Sequence, residues 1–417
     1  MRSTTRRPEG RNPETQAPHL LEGITVLDTA SWVAGPAAAT LMADFGAEVI
    51  KIEPPGGDSY RDFVNAAGMP TSDVNYPWLL SSRNKKSIVL DLARHEGREV
   101  LLTLVQRADV LVCNYTPSRA RRLRVTYEEL AAVNPRLVYA SITGYGHTGS
   151  EANKLGFDIN AWWARSGLMD LVRTVDALPS GSMPGMGDHP TAMALLAGIM
   201  MALFQRERTG RGALVSTSLL ANGAWANGIL IQALLCGATF QPKRPRDRAR
   251  NALGNLYQSR DGRWFLLTIM REEREWPRLA KGIGRPELVD DPRFASRAAR
   301  REHSAALIRI LDEVFAEKDW EEWRQVFEAS QITSGPVARL GDVCDDPQMR
   351  ATEVIVPIED GERPELLTVA GPICIADQPP RRPGSAPSVG QHTDEVLRAA
   401  GYNADAIAKL RARKIVG

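Results

Sequence analysis

Short β-branched runs alternate with stretches of helical periodicity through the first half of the chain. Ile24-Thr25-Val26-Leu27-Asp28 reads as a strand, and Gly35-Pro36 then open a helix. Proline suits a first helical turn, where its missing N–H has no partner to lose. That helix runs through Ala37 to Phe45, with Gly46 placed to end it. Val49 to Ile52, Ser87 to Leu90, Val110 to Val112 and Leu137 to Ile142 read as further strands, with a helix from about Glu96 to Arg107 between the second and third of these. Strands alternating with helices imply βαβ units and a mostly parallel sheet. Right-handed crossovers would put helices on both of its faces.

From about 190 to 235 the pattern is helical and apolar. Leu214 to Leu235 carries no charged residue, a length that could pass for a membrane span. Ser216, Thr217, Ser218, Asn222, Asn227 and Gln232 interrupt it, and a buried core or dimer-contact helix fits better. The composition shifts at the charge run Lys243 to Arg248. Beyond it Asp261-Gly262 reads as a hairpin turn between Leu256-Tyr257-Gln258 and Trp264-Phe265-Leu266. Charged helical sequence follows to about Glu328, and Gly335-Pro336 closes the segment. The expected division is a disordered tail over 1–19, a large domain over 20–244, a smaller domain over 245–335, and a return to the large domain over 336–417. The return ends in an amphipathic helix, Asn403 to Arg413.

Composition narrows the function classes. The 417 residues are 43% hydrophobic and 24% charged, as in a globular protein with a sizeable core. The net charge of +2, from 52 basic and 50 acidic residues, makes no electrostatic case for nucleic acid or an anionic membrane. Cys113, Cys236, Cys344 and Cys374 form no CxxC pair and have no metal-ligand spacing, so a cytoplasmic enzyme with reduced, buried thiols is expected. The first 19 residues hold four arginines and three prolines but no apolar run, unlike a secretory leader.

A nucleotide-type ligand should bind at the carboxyl ends of parallel strands, near helix N-termini. The turn Ala30 to Gly35 has that place, but it lacks GxGxxG, and no phosphate-cradling GxxxxGK[ST] occurs anywhere. Basic residues gather near later strand ends, at Arg83, Lys85 and Lys86 and at Arg119, Arg121, Arg122 and Arg124, either as a solvated face or aimed at a phosphate. Pro184-Gly185-Met186-Gly187-Asp188-His189 precedes an apolar helix, Thr191 to Phe204. An acid there can be a helix cap. It can also be a nucleophile, since the two glycines let a ligand approach and free amides could bind a developing oxyanion. Trp162, Trp163 and Trp225 are either core or the walls of an acyl pocket.

Together these segments resemble the class III coenzyme A transferase family, which includes formyl-CoA transferase, carnitine CoA-transferase and α-methylacyl-CoA racemase. The likeness starts at Leu21 with LEGITVLDTASWVAGPAAATLMADFGAEVIKIEPPGGDSYR. It continues in order through NKKSIVLDLARHEGREVLLTLVQRADVLVCNYTPSRARRL, NPRLVYASITGYGHTG, GFDINAWWARSGL, GMGDHPTAMALLAGIMMAL, NALGNLYQSRDGRW and APSVGQHTDEVLRAAGY. The resemblance implies an α/β fold: a Rossmann-like large domain built from both chain ends, a smaller α+β domain, and two subunits interlocked as rings in a homodimer. It places the nucleophilic aspartate on Asp188. CoA-contacting positions fall on Val33 and Ala34, on Leu90, Asp91, Leu92 and Ala93, on Asn114, Tyr115 and Thr116, and on Arg122, with Lys154 as the basic residue near the GFD motif. Acyl-CoA and carboxylic acids are the implied substrates, with no permanently bound cofactor and no metal.

The chain departs from the pattern at Pro54, where formyl-CoA transferase has a CoA-contacting arginine, and at Ala93, often a lysine, with Arg94 beside it. Asn251 to Asn255 replace that enzyme's run of four glycines, which removes support for oxalate specificity. Three functions follow as alternatives: a CoA-transferase (EC 2.8.3.-) working through an aspartyl anhydride, an acyl-CoA racemase, and a non-catalytic CoA-binding protein. The racemases pair their aspartate with the histidine of a GHD motif. Here Phe157 fills that place and cannot take a proton, which leaves His189 as the nearby alternative base.

Overall fold

The computed structural model describes residues 19–359 and 363–417. Apart from His19, the expected N-terminal tail lies outside the described residues. The chain divides into two compact units. The larger runs to Ser166 and takes in Ser182–Ala226 and Glu353–Gly417; the other comprises Gly167–Gly181 and Asn227–Thr352.

The larger unit is built on a six-stranded sheet: β1 (Thr25–Asp28), β2 (Glu48–Glu53), β3 (Lys86–Val89), β4 (Val110–Cys113), β5 (Val138–Thr143) and β6 (Leu214–Ser218). All five pairings are parallel, in the order β3-β2-β1-β4-β5-β6. That is the doubly wound order of dinucleotide-binding folds, whose direction reverses between β1 and β4. Strand periodicity sorts the side chains onto two faces. Val26, Val110, Val112, Val138 and Ala140 pack with helices Ala34–Asp44 and Asp188–Thr209. Leu27, Leu111, Cys113 and Tyr139 pack with helices His95–Val105, Thr393–Ala399 and Ala404–Ala412. Burial on both faces explains why these strands read as continuous apolar runs rather than as alternation. The chain end returns to the β3 edge: Leu90 bridges Val416, and the Asp91 amide donates to the Ile415 carbonyl at 2.9 Å.

The first helix begins at Ala34, one residue before the expected opening at Gly35-Pro36, because the Val33 carbonyl already accepts from the Ala37 amide at 2.8 Å. Pro36 is still tolerated there, since the first four N–H groups of a helix have no internal partner. The helical reading of 190–235 is overturned in its second half. Asp188–Thr209 ends at Gly210, which takes φ 70°; Leu214–Ser218 is a strand, followed by two short helices, Leu219–Ala226 and Gly228–Leu235. The absence of charge in 214–235 is not burial either, for Trp225, Ile229 and Leu235 are 87%, 86% and 77% exposed. Among the described residues no helix is long and apolar enough to cross a membrane. The expectation of buried thiols holds for Cys113 alone; the other three are exposed.

In the second unit, β7 (Gly254–Gln258) and β8 (Trp264–Thr268) form the expected hairpin, with Gly262 at φ 75° in its turn, and β9 (Ser334–Pro336) completes an antiparallel sheet. Phe265, Tyr257, Phe315, Trp323 and Phe327 make a ring-rich core against helices Ser304–Phe315 and Trp320–Ser330.

Candidate active site

The crevice of a doubly wound sheet lies outside the carboxyl ends of its strands at the switch point. Here β1 runs out into Ala30-Ser31-Trp32, and β4 into Asn114. Asn114 bridges the two: its Oδ1 accepts from the Ser31 amide at 3.0 Å and its Nδ2 donates to the Ser31 carbonyl at 2.8 Å. The Asp28 carboxylate takes the Ala30 amide at 3.2 Å, and the buried Lys51 ammonium donates to the Ala30 carbonyl. These clamps hold Trp32 at φ 68°, a left-handed conformation that is a genuine outlier for a bulky side chain. Such residues cost about 1–3 kcal/mol and persist where the surroundings over-determine them, often at functional sites.

Beneath this turn lies a buried ionic network. Lys85 Nζ donates to Asp28 Oδ2 at 2.9 Å and to the Pro36 and Ser81 carbonyls at 2.7 and 2.8 Å. Lys51 pairs with Asp58 at 2.9 Å, and Arg61 with Glu53 at 2.7 Å. Burial, with Lys51 nearby, brings the Lys85 ammonium down to about 8 despite Asp28. Burial also works against the Lys51 charge, but Asp28 and Asp58 outweigh it and leave its pKa raised. The network extends through the buried Asp58, whose amide donates to Glu53 at 2.8 Å and whose Oδ1 accepts from the Tyr60 amide at 3.0 Å. One set of charges therefore seats both Trp32 and Tyr60.

Asp188 is the first residue of the 22-residue helix Asp188–Thr209 and is partly buried. The loop before it is shaped by glycine: Gly185 takes φ 79°, and a Cβ on Gly187 would stand 2.6 Å from the Trp162 ring. The buried carboxylate of Asp158 accepts from the Gly187 amide at 3.2 Å and so ties the GFD segment to the loop before Asp188. Asp158 opens a wide π-helical turn, Asp158–Ala164, a geometry found often at functional sites. Desolvation, reinforced by the Asp158 charge, pushes the Asp188 carboxyl up to about 7. That opposes the helix dipole, which favours a carboxylate at an N-terminus. The expectation of free amides at this loop is corrected. Met186 N–H donates to Met183, Gly187 N–H to Asp158 and His189 N–H to Gly185, so these amides are already engaged.

The expected ligand positions fall into separate groups. Val33 and Ala34 are buried at the helix start after the Trp32 turn, so any ligand contact there is through backbone. Asn114 and Tyr115 sit across the switch point, and Thr116 caps helix Pro117–Leu123 by accepting from the Arg119 amide at 3.4 Å. Leu90 is buried, Asp91 accepts from the Ala93 amide at 3.0 Å, Leu92 is partly buried, and Ala93 is exposed. Arg122 is exposed in the last turn of its helix and makes no ion pair among the described residues. Lys154 is exposed, pairs with Glu151 at 2.8 Å, and lies 5.0 Å from the Tyr145 ring. Trp162 and Trp163 are buried and stacked at 6.1 Å, while Trp225 projects into solvent. Sequence reasoning passed over Trp32, Tyr60 and Asp158. The GFD motif held the one available signal, an acid of fixed spacing beside Phe157. No cluster able to hold a metal occurs among the described residues.

Comparison with known proteins identifies the family. The model of CoA-transferase family III matches residues 21–393. The (R)-2-hydroxy-4-methylpentanoate CoA-transferase of Clostridioides difficile is 30% identical over 95% of this chain and 99% of its own length. The cinnamoyl-CoA:phenyllactate CoA-transferase of Clostridium sporogenes is 30% identical over 95% and 97%. Among solved structures, a CaiB/BaiF family protein from Brucella suis superposes with a TM-score of 0.81 at 27% identity, covering 92% of this chain and all of its own. The mixed α/β fold with its parallel six-stranded sheet, and a match that spans nearly the full length, place the chain in CoA-transferase family III.

Proposed function

We propose that the protein moves CoA from an acyl-CoA thioester to an acceptor carboxylate through covalent intermediates on Asp188. The observation that carries this reading is a carboxylate at the mouth of a glycine-shaped loop, desolvated and set against a second buried carboxylate. A desolvated carboxylate is a stronger nucleophile than one in water. Asp188 attacks the thioester carbonyl and expels CoA thiolate, which leaves a mixed anhydride. The thiolate attacks the aspartyl carbonyl of that anhydride, forms an aspartyl-CoA thioester and frees the donor acid. The acceptor carboxylate then attacks the aspartyl-CoA, regenerating an anhydride, and the thiolate takes the new acyl group and releases Asp188. CoA is held at the carboxyl edge of the sheet, against Val33 and Ala34 after β1 and Asn114, Tyr115 and Thr116 after β4, with Leu90 to Ala93, Arg122 and Lys154 as further contacts. The named activities of the similar enzymes agree with this reaction class.

Asp188→Ala should abolish transfer while thermal unfolding and CoA binding stay close to wild type. Hydroxylamine trapping during turnover should mark the peptide containing Gly187-Asp188. Near-wild-type turnover by the variant would exclude this nucleophile. The racemase alternative is tested in heavy water with a chiral 2-methylacyl-CoA: transfer without α-deuterium is expected. Acceptor-independent deuterium uptake that His189→Ala stops would favour racemisation instead. Phe157 supports the expectation, because its ring packs edge-on against Trp32 at 5.0 Å and offers no base.

A further inference from the structure

We propose that Trp32, Tyr60, Phe63 and Phe157 form an apolar wall beside Asp188 that selects ring-bearing monocarboxylic acyl groups, with Trp32 as its specificity-determining residue. This rests on the transferase reading and adds the substrate class. Trp32 is the hub of the wall: its ring lies 6.1 Å from Tyr60, 6.0 Å from Phe63 and 5.0 Å from Phe157, and Tyr60 stacks on Phe63 at 5.4 Å. Edge-to-face and offset contacts of this kind are the geometry in which aromatic rings attract one another, and a substrate ring can join them. The wall adjoins the nucleophile at two points. Phe157 immediately precedes Asp158, whose carboxylate holds the Gly187 amide at 3.2 Å. Tyr60 lies within reach of the Asp188 charge, which adds to burial in raising its phenol.

The wall is also open. Phe157 is 49% exposed and Trp32 and Phe63 are only partly buried, whereas a ring that served the core alone would be covered. The strained backbone of Trp32, clamped through Ala30 and Ser31 by Asp28, Lys51 and Asn114, fixes where the side chain leaves the turn, and its ring contacts with Tyr60, Phe63 and Phe157 position the indole.

Charge points the same way. Cations on the segments that carry the wall are engaged: Lys51 with Asp58, Arg61 with Glu53, Lys85 with Asp28, and Lys154 with Glu151. A second carboxylate on the acyl group would meet no free partner among them and would face Asp158 and Asp188. The wall therefore disfavours dicarboxylic acyl groups while favouring apolar ones, and each methylene of fit in an apolar pocket discriminates by roughly 10–200-fold.

The test compares 3-phenylpropionyl-CoA, butyryl-CoA and succinyl-CoA as donors to a common acceptor, propionate. Wild type should give its highest kcat/KM with the phenylpropionyl donor and its lowest with succinyl-CoA. Trp32→Gly removes the ring and accepts φ 68° without strain, and should lower the phenylpropionyl-to-butyryl preference at least tenfold. Phe157→Ala, at a half-exposed site, should lower the same ratio and carries the test if Trp32→Gly does not fold, as judged by circular dichroism and CoA binding. A wild-type preference for succinyl-CoA, or an unchanged ratio in folded variants, would overturn the wall while leaving the transferase reading intact. Absence of transfer by wild type from every donor would overturn the transferase reading and this proposal together.

Discussion

Asp188 is held between opposing effects. A helix N-terminus stabilises a carboxylate by about 0.3–1 kcal/mol in exposed settings. Desolvation and the neighbouring Asp158 charge work the other way and win, leaving the carboxyl near 7. The nucleophile proposed for transfer must be ionised, so on that proposal kcat/KM should rise with pH through an acidic limb near 7. Asp158→Asn keeps an acceptor for the Gly187 amide but removes the charge. The limb should then move to lower pH yet stay above the ordinary aspartate range, since burial is the larger cause. A pH–rate profile of the two enzymes checks this, and a limb that does not move would exclude Asp158 as a source of the shift. The raised carboxyl has a consequence for stability of the opposite sense. The folded state binds the proton more tightly than the unfolded chain, so this residue's contribution is fully present below about pH 4. It is lost as pH rises through 7. On the proposed mechanism the residue would therefore react best where it stabilises the fold least.

The elements around the site were legible in the sequence to different degrees. β1 to β5 and the first helices stood out because strands buried on both faces are unbroken apolar runs and because Gly35-Pro36 and Gly46 punctuate the first helix. β6 did not stand out. Leu214 to Ser218 is a partly exposed strand leading straight into a helix, so its period merged with the helical sequence that follows. The acid of the GFD motif was visible, but its bond to Gly187 depends on a π turn that no periodicity announces. Nor does local sequence reveal that Asp28, Lys51 and Lys85, ordinary residues in three separate segments, meet under the sheet's carboxyl edge. That network gives an element-scale prediction. Removing one partner of a buried ion pair leaves the other uncompensated, which costs about 3–5 kcal/mol. Asp28→Ala should lose stability in that range by urea denaturation, and Asp28→Asn less, because the amide still accepts from Lys85 and from the Ala30 amide. Loss of under 0.5 kcal/mol for the alanine variant would mean that Lys85 sheds its proton without penalty. Burial brings Lys85 down to about 8 even with Asp28 holding it up, so without Asp28 the ammonium should lose its proton at lower pH, and the alanine variant should recover part of its stability as pH rises from there toward the ordinary lysine range.

At the scale of the whole molecule, the larger unit draws on both ends of the chain: β3 is covered by residues 390–392 and 415–416. A chain whose ends meet in one unit, with other sequence between them, can close into a ring. The family resemblance implies two such rings linked as a homodimer. Each unit also exposes large apolar side chains that a partner subunit could cover. In the larger unit Trp225, Met201 and Phe204 are 87%, 71% and 61% exposed; in the second unit Ile229 and Leu235 are 86% and 77% exposed. Isolated apolar side chains on a surface need no explanation, but large groups of them mark interaction sites. We therefore predict a homodimer whose subunits do not exchange under native conditions. The measurement mixes two preparations carrying different affinity tags. For linked rings, no mixed dimer should form on native incubation at any dilution, whereas denaturing the mixture and refolding it should yield mixed dimers at about half of the total. Loss of the dimer on dilution or in denaturant should coincide with loss of circular dichroism, because separation requires a ring to open, and the midpoint should rise with protein concentration. A folded monomer at low concentration would contradict any obligate dimer. Mixed dimers formed without unfolding would contradict the linkage specifically, since they show that the two chains part while their sheets remain intact.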